Sequence, residues 1–221
     1  MLPSAFFDRP APMVAKDLIG KVIRRRYREL WLAAAIVETE AYGADQGNHA
    51  WHGRSKAREA MWAPVGTIYM YLSRGGDSLN VSVQGGGHVV LIKAARPWLD
   101  EQSGGEAFAR MHKLNPGSKG RRKDHKLLSG QALLARSLDL RLSDWNGKSF
   151  DPDAFFIEDV NYRPSSIIRC RRLGLPSDWA PDLMLRYVDE AHLRSATQNP
   201  LGKRAWREGP DYQRLSWEDK P

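Results

Sequence analysis

The sequence predicts a single domain of the mixed α/β (α+β) class, built mainly from antiparallel hairpins. A length of 221 residues with 42% hydrophobic residues suits one domain with a real core. Several segments alternate between apolar and polar residues and are separated by glycine-containing turns. Strands and helices do not alternate regularly, and no glycine-rich phosphate-binding motif occurs. This argues against a nucleotide-cofactor fold.

The first part of the chain reads as a helix followed by a hairpin. Residues 10–19 predict a short helix, because prolines suit its first turn and a glycine ends it. Residues 21–27 and 30–42 predict two strands joined by a tight turn. Residues 43–54 predict a loop, and we expect Ser55 to cap a short helix through residue 62.

The next part predicts a meander of three strands. Tyrosines alternate with apolar residues in the first of these strands, and glycines mark both turns. The expected strands are Thr67–Leu72, Leu79–Gln84 and His88–Ala95, with turns at Arg74–Asp77 and Gly85–Gly87.

The remainder predicts short elements and a tail. Residues 97–126 are basic and helical in parts, and we expect Ser129 to cap a helix through Arg136. Short strands are expected at 154–158, 165–172 and 183–189. Later residues show little core pattern, so we predict one domain over residues 1–198 and a C-terminal tail over residues 199–221.

The charge of the chain suggests a polyanionic partner. Net charge is +8 and the sequence pI is about 9.7. The positive charge concentrates at residues 24–28, 119–126 and 169–172, which suits nucleic acid, although a solvated basic face explains it equally well. With no membrane-length apolar run, no secretory signal and a single cysteine, we expect a cytoplasmic (in a bacterium, nucleoid-associated) or otherwise intracellular protein.

Residues 36–52, IVETEAYGADQGNHAWH, carry the first candidate site. Glu38, Glu40 and Tyr42 share one face of the predicted strand, because successive side chains of a strand alternate. Neighbouring carboxylates repel one another, and burying either is costly without a partner. The stretch is therefore either a water-exposed edge or a functional site.

Aromatic side chains offer a second part of this site. If the strand over 30–42 lies beside the 67–84 hairpin, Tyr42, Tyr69 and Tyr71 form a stacking pocket next to Glu40. Such a pocket with a basic surface suits an extruded or single-stranded base. A carboxylate there could activate water for attack on a glycosidic carbon. From periodicity alone, ordinary sheet packing of the tyrosines is the favoured interpretation.

Other chemistries have weaker support. No G-x-S-x-G motif occurs, so nothing indicates a serine hydrolase. Lysine Schiff-base chemistry stays open, with Lys93 as the one candidate near the pocket. Acidic and histidine side chains crowd a short span, but their spacing is not that of a zinc site, and we expect no metal. These residues are Glu38, Glu40, Asp45, His49 and His52.

The motifs in their order resemble the alkyladenine (3-methyladenine) DNA glycosylase family. They are AKDLIGKVI, VETEAY, a histidine after an acidic-glycine loop, MWAPVGTIYMY, LNVSVQGGG and VLIKAARP. The similarity runs from about residue 6 to about residue 190. Order and spacing together, rather than one motif, make the match specific.

This resemblance implies a curved antiparallel sheet flanked by short helices, with a protruding β-hairpin that binds DNA. It implies a monofunctional enzyme of base excision repair that docks on double-stranded DNA as a monomer. The enzyme would flip alkylated or deaminated purines into a pocket and hydrolyse the N-glycosidic bond. No metal, cofactor or covalent enzyme intermediate would take part.

The resemblance also implies roles for individual residues. Glu40 is the general base that deprotonates the attacking water, and Glu38 is a supporting carboxylate. Asn80 rejects guanine by a clash with its 2-amino group. The flipped base is bound by Tyr42, His49, Tyr69, Tyr71 and Asn80.

The implied DNA contacts are Arg54, Arg58, Arg74 and Lys93, and here the chain departs from the family pattern. Arg74 stands at the hairpin tip, where the family carries a wedging aromatic, and Lys93 stands where the family has arginine. An arginine is a poorer apolar wedge. The runner-up function is therefore a nucleic-acid-binding module of the same fold with weak or no glycosylase activity. A metal-dependent phosphoesterase that uses the Glu/His cluster is the third hypothesis.

Overall fold

The structure is a computed structural model that describes residues 1–73, 75–118, 120–176, 179 and 183–221. Its strands are β1 (Val22–Tyr27), β2 (Leu30–Tyr42), β3 (Ile68–Ser73), β4 (Gly76–Ser82), β5 (Val89–Pro97), β6 (Phe155–Glu158), β7 (Ile167–Cys170), β8 (Arg186–Asp189) and β9 (Tyr212–Leu215). Its α-helices are α1 (Ser4–Phe7), α2 (Ala11–Asp17), α3 (Gly105–Leu114), α4 (Gln131–Ser137) and α5 (Leu142–Trp145). Short 3₁₀ helices cover His49–His52, Lys56–Trp62, Asp124–Lys126, Glu190–Ser195 and Pro200–Gly202.

Within the described residues the nine strands form one sheet. The strand order is β3-β4-β5-β2-β8-β7-β9, and β1 pairs with β2 and with β6. All of these strand pairs are antiparallel. The predicted mixed α/β domain with a large antiparallel sheet is confirmed. That the β3–β4 hairpin protrudes and binds DNA stays a prediction.

The centre of the sheet is β2, whose bounds agree with the predicted strand. Its first half pairs with β1 from Tyr27↔Leu30 to Val22↔Ala35, and its second half pairs with β8 on the same edge. On the other edge β2 pairs with β5. Alanines 33–35 are buried on both faces. The end of β2 is therefore paired with β8 up to Glu40 and with β5 up to Tyr42.

The main core lies between one face of the sheet and the helices α2, α3 and α4. Leu18, Ile36 and Leu134 belong to it and are at most 1% exposed. Burying such a side chain contributes about 1.5–3 kcal/mol. The opposite face carries a smaller cluster around Met61 and Tyr69. This second cluster is the floor of the site described below.

Of two predicted helix caps, Ser129 is wrong, and Ser55 stands at the N-cap position without the expected side-chain hydrogen bond. Helix α4 starts after Gly130, and the Ser129 hydroxyl instead donates a 2.7 Å hydrogen bond to the carbonyl of Ala196. Ser55 precedes the 3₁₀ helix Lys56–Trp62 but makes no capping bond, and its oxygen accepts from Arg58 Nε at 3.0 Å. Ser129 thus uses its hydroxyl as a donor to a distant carbonyl, and Ser55 uses its oxygen to accept from a side chain.

The segment after residue 198 contributes to the sheet. Strand β9 pairs with β7 from Ile167↔Leu215 to Cys170↔Tyr212. Trp217 packs against the main core, and the Lys16 ammonium donates to its carbonyl oxygen. The boundary at residue 198 stays a prediction, but part of the segment beyond it is an edge strand.

No helix in the described part of the chain has both the length and the apolar character needed to cross a membrane.

Candidate active site

The candidate site is a row of side chains that crosses five strands of the sheet. The register pairs Tyr69 with Asn80, Asn80 with Leu91, Leu91 with Glu40, and Glu40 with Arg186. Directly paired residues of antiparallel strands point to the same face of a sheet. The fold thus brings predicted site residues from β2, β3 and β4 together on one face.

Two β-bulges set which side chains reach this face. Between β2 and β5, Ile36 pairs with Ala95, Glu38 with Ala94, and Thr39 with Ile92. Val37 on β2 and Lys93 on β5 are therefore each left without a partner in the ladder. A bulge adds one residue to one strand and redirects the side chains that follow.

The residues of β2 that belong to the main core show how the Val37 bulge changes the direction of its side chains. Before the bulge Ala34 and Ile36 belong to the main core, whereas after it Ala41 does. The even-numbered residues face the core up to Ile36, and the odd-numbered residues face it from Thr39 onward. Glu40 therefore points away from the main core because of the bulge.

Glu40 is fully buried and accepts hydrogen bonds from Lys93, Tyr42 and the backbone of Leu173. Lys93 Nζ lies 3.0 Å from both carboxylate oxygens. The Tyr42 hydroxyl donates to Oε2 at 2.6 Å, and the backbone N–H of Leu173 donates to Oε1 at 2.9 Å. Burial alone would raise the pKa of Glu40, but the Lys93 charge and these hydrogen bonds hold that pKa below its usual value. The carboxylate is therefore ionised at neutral pH.

Tyr42 contacts a second ion pair, which Arg172 forms with Asp45. The Arg172 guanidinium lies 4.5 Å from the centre of the Tyr42 ring and donates to the carbonyl of Ala41 at 3.0 Å. The same guanidinium contacts both carboxylate oxygens of Asp45. Burial, followed by the Glu40 charge, keeps the pKa of Tyr42 well above its usual value, so its hydroxyl stays a donor.

Three rings, those of His49, Tyr69 and Tyr71, contact one another in the lining of a cavity next to Lys93. The His49 ring centre lies 4.5 Å from that of Tyr71, at an interplanar angle of 73°. His49 Nδ1 lies 3.1 Å from the Tyr69 hydroxyl. Burial, and then the nearby Arg58 charge, lower the pKa of His49, so the ring is neutral at pH 7. Burial also raises the pKa of Tyr69 to about 12.

The space between these walls is a cavity of about 200 Å³. Asn80 lines it and is fixed by a 3.1 Å hydrogen bond from its Nδ2 to the carbonyl of Tyr69. The predicted base-binding residues all line this one cavity, namely Tyr42, His49, Tyr69, Tyr71 and Asn80. Their binding role stays a prediction.

Glu38 lies outside the cavity in a buried network of its own. Its Oε1 accepts from Arg186 Nε at 2.7 Å, and both side chains are fully buried. Its Oε2 accepts from the backbone N–H of Thr197 at 2.6 Å. Because all of its partners are structural, these contacts tie β2 to β8 and to the chain that follows β8.

The four residues predicted to contact DNA lie in different surroundings. Lys93 lines the cavity beside Glu40 and is only 12% exposed. Arg54 is exposed and paired with Glu59 at 2.5 Å, while Arg58 donates to the carbonyl of His49 at 3.0 Å. Arg74 lies outside the described residues. DNA contact by these residues stays a prediction.

Sequence reasoning missed one wall of the cavity. The chain after β7 supplies Leu173, Gly174 and Leu175, and Gln131 enters from the start of α4. Arg172 was counted only as part of a basic cluster, yet it is buried against Asp45. These residues lie far along the chain from β2, and only the sheet order reveals that they meet it.

The acidic and histidine residues of 38–52 do not converge. Glu38 is paired with Arg186, Glu40 with Lys93, and Asp45 with Arg172. Over the residues that the structure covers, no group of three or more His, Cys, Asp or Glu side chains could hold a metal ion.

Comparison with known proteins finds sequence similarity over almost the whole chain. Residues 5–193 match the family profile described as methylpurine-DNA glycosylase. A protein of Pseudomonas aeruginosa named "Putative 3-methyladenine DNA glycosylase" is 47% identical over 99% of this chain and 92% of its own length.

Proteins of the same name from two further bacteria are also similar. The one from Pseudomonas fluorescens is 47% identical over 96% of this chain and 92% of its own length. The one from Chlorobium phaeobacteroides is 32% identical over 75% of this chain and 82% of its own length. The chain therefore belongs to the methylpurine-DNA glycosylase family, whose members cleave N-glycosyl bonds of DNA.

Proposed function

We propose that this chain is a monofunctional glycosylase that flips alkylated or deaminated purines out of double-stranded DNA and hydrolyses the N-glycosidic bond. The observation that carries the proposal is an ionised, buried Glu40 directly beside an aromatic-walled cavity of about 200 Å³. An enzyme that acts on a base must take it out of the stack and hold it between aromatic faces. The net charge of +8 suits the phosphate backbone.

The flipped base would lie between Tyr42 and the wall of His49 and Tyr71. Stacking of a base on an aromatic ring contributes about 1–3 kcal/mol. The neutral state of His49 matters because 3-methyladenine in DNA is a cation, and an imidazolium beside it would repel it. The Asn80 side chain, fixed by the Tyr69 carbonyl, would lie at the purine edge and exclude the 2-amino group of guanine.

Glu40 would act as the general base for the attacking water. Lys93 and Tyr42 now take up the outer side of the carboxylate, so water reaches it only when Lys93 Nζ withdraws. We infer that the phosphate or sugar of the flipped nucleotide draws Lys93 away. The carboxylate then takes a proton from water as that water attacks C1′, through a transition state like an oxocarbenium ion. A base that is a cation in DNA, such as 3-methyladenine, leaves as a neutral molecule.

The test is base release from duplex oligonucleotides that carry 3-methyladenine, hypoxanthine or 1,N6-ethenoadenine, with EDTA present. Wild type is compared with Glu40→Gln and with Glu29→Gln, whose side chain is 93% exposed. We expect Glu40→Gln to lose about 10²–10⁴-fold in rate with DNA affinity nearly intact. Wild-type turnover in Glu40→Gln would remove Glu40 as the base.

One observation favours the runner-up, a binding module of the same fold. Glu40 has no exposed surface, since Lys93 and Tyr42 cover it. If Lys93 never withdraws, the chain binds damaged DNA without releasing a base. Salt-sensitive DNA binding with no base release from any lesion would select the binding module. Strict dependence on a divalent ion would select the phosphoesterase.

A further inference from the structure

A buried amide lies between the segments that carry Tyr42 and His49. Asn48 is 2% exposed, lines the cavity and directly precedes His49 in the chain. It is the N-cap of the 3₁₀ helix His49–His52, and its Oδ1 accepts from the Ala50 N–H at 3.1 Å. Capping uses only this oxygen, so the Nδ2 group is left for other partners.

The two hydrogens of the Asn48 Nδ2 group bond to carbonyl oxygens of two other segments. One bond, of 2.7 Å, goes to Gly43, which directly follows Tyr42 at the end of β2. The other, of 2.9 Å, goes to Gly87 in the turn before β5. One side chain thus joins the end of β2, the turn before β5 and the helix that begins at His49.

The turn at Gly87 is itself packed tightly against this helix. Gly87 has a φ of +83°, and a Cβ at this position would lie 2.8 Å from the Cβ of Ala50. The Gly87 N–H donates to the carbonyl of Met61 at 3.1 Å, and Met61 lines the cavity. The carbonyl that accepts from Asn48 is therefore fixed by contacts of its own.

The bond from Asn48 to Gly87 is buried, whereas the bond that Arg58 donates to the carbonyl of His49 is exposed. Water can replace an exposed hydrogen bond, but a buried carbonyl that loses its donor stays unsatisfied. Without the Nδ2 group, the segment from Gly43 to His49 must move to find other partners. Tyr42 and His49 lie directly at the two ends of that segment.

We propose that Asn48 is a positioning residue that holds Tyr42 and His49 relative to each other and so sets the gap that receives the flipped base. The inference rests on the proposed function, because it needs a base to enter the cavity. Asn48 acts on base stacking and has no contact with the reacting atoms.

The test removes the donor and keeps the cap. Asn48→Asp has nearly the same size and still offers an oxygen to the Ala50 N–H, but it presents no hydrogen to the two carbonyls. Asn48→Ser is the second variant, because serine is also a good cap and is too short to reach both carbonyls. The matched control is Asn199→Asp. Asn199 is exposed and caps Pro200–Gly202 in the same way, with its Oδ1 accepting from the Leu201 N–H at 2.9 Å.

Stacking is measured as the fluorescence quenching of 1,N6-ethenoadenine in a duplex, with every variant combined with Glu40→Gln so that no base is released. Base release is measured separately with Glu40 intact. We expect both Asn48 variants to weaken the quenching and to lower kcat/KM about 10-fold. Asn199→Asp should leave both at the wild-type level. Wild-type quenching in both Asn48 variants would overturn the proposal.

A double-mutant cycle with His49→Ala separates positioning from general stability. In the His49→Ala background, Asn48→Ser should cause a clearly smaller further loss of quenching, because one of the rings that Asn48 positions is absent. Equal losses in the two backgrounds would overturn the proposal, whatever the melting temperatures.

The same data separate this inference from the proposed function. Base release by wild type with unchanged stacking in the Asn48 variants would refute the positioning role alone and leave the glycosylase standing. Neither quenching nor base release with wild type would overturn both.

Discussion

Lys93 and Glu40 form one ion pair in which a single ammonium nitrogen lies 3.0 Å from both carboxylate oxygens. Glu40 is fully buried and Lys93 is nearly so. In such surroundings removing one partner leaves an uncompensated charge. The protonation state of the proposed base therefore depends on the neighbouring lysine.

This dependence predicts a shift in the pH profile of base release. In wild type the pKa of Glu40 lies below its ordinary value, and the ionised form persists as pH falls until that lowered pKa is passed. In Lys93→Met, burial is no longer offset by the cation, so the pKa of Glu40 should rise. The acid limb of kcat/KM, measured on a hypoxanthine duplex, should move to higher pH, whereas Lys93→Arg should keep it low. Coincident limbs for all three proteins would contradict the coupling.

Arg172 should act as a positioning residue for Tyr42. Arg172→Ala removes the cation behind the ring, the bond to the Ala41 carbonyl and the pair with Asp45. We expect the fluorescence quenching of a flipped 1,N6-ethenoadenine to fall, together with kcat/KM. A cation–π contact and a buried charged hydrogen bond each contribute about 1–3 kcal/mol.

The matched control for this variant is Arg171→Ala, because Arg171 is exposed and Arg172 is buried. Equal effects of the two substitutions would mean that Arg172 acts through charge alone. Loss of melting temperature without loss of base stacking would reduce Arg172 to a structural role.

Asn80 should determine which purines enter. In Asn80→Ser the shorter side chain loses the 3.1 Å bond to the Tyr69 carbonyl and frees space at the purine edge. We expect N7-methylguanine release to rise relative to hypoxanthine release, by about 10-fold or more if about 1.4 kcal/mol of clash is removed. The measurement is the ratio of the two kcat/KM values. An unchanged ratio would count against the gatekeeper role.

The lowered pKa of His49 predicts a selectivity that depends on pH. Burial and Arg58 keep the ring neutral at pH 7, and it gains a proton only when the pH falls through a pKa that is lower than that of an ordinary histidine. The protonated ring should repel a cationic base but not a neutral one. The ratio of 3-methyladenine to hypoxanthine release should therefore fall in that range for wild type. The same fall in His49→Gln would show that His49 is not responsible.

Much of this site could be predicted because its side chains lie on regular strands. The bounds of β2 and the approximate bounds of β3, β4 and β5 follow from apolar alternation and glycine turns, which act locally. Once β2 lies beside the β3–β4–β5 meander, Glu40, Tyr69 and Asn80 share a row. Local pattern and simple strand order were enough for this part.

The remainder depends on contacts between distant parts of the chain. Leu173 and Arg172 reach Glu40 and Tyr42 because β8 and β7 follow β2 in the sheet, and no local signal encodes that order. The Val37 bulge could not be predicted from the sequence. The residues AAAIV are apolar on both faces of the strand, so a break in the alternation of side chains changes no apolar–polar pattern. Ser129 carries the signature of a helix cap but bonds to Ala196, because a tertiary partner competes for its hydroxyl.

Val37 is one extra residue in a strand whose side chains otherwise alternate between the two faces of the sheet. If β2 kept Val37 in regular alternation and had no bulge there, Glu38 and Glu40 would face the main core and Ala41 would face the cavity. The direction of these functional side chains thus depends on the number of residues in the strand as much as on which residues they are. Deleting Val37 would remove the bulge, and regular alternation from Ile36 would then still direct Glu38 and Glu40 away from the main core.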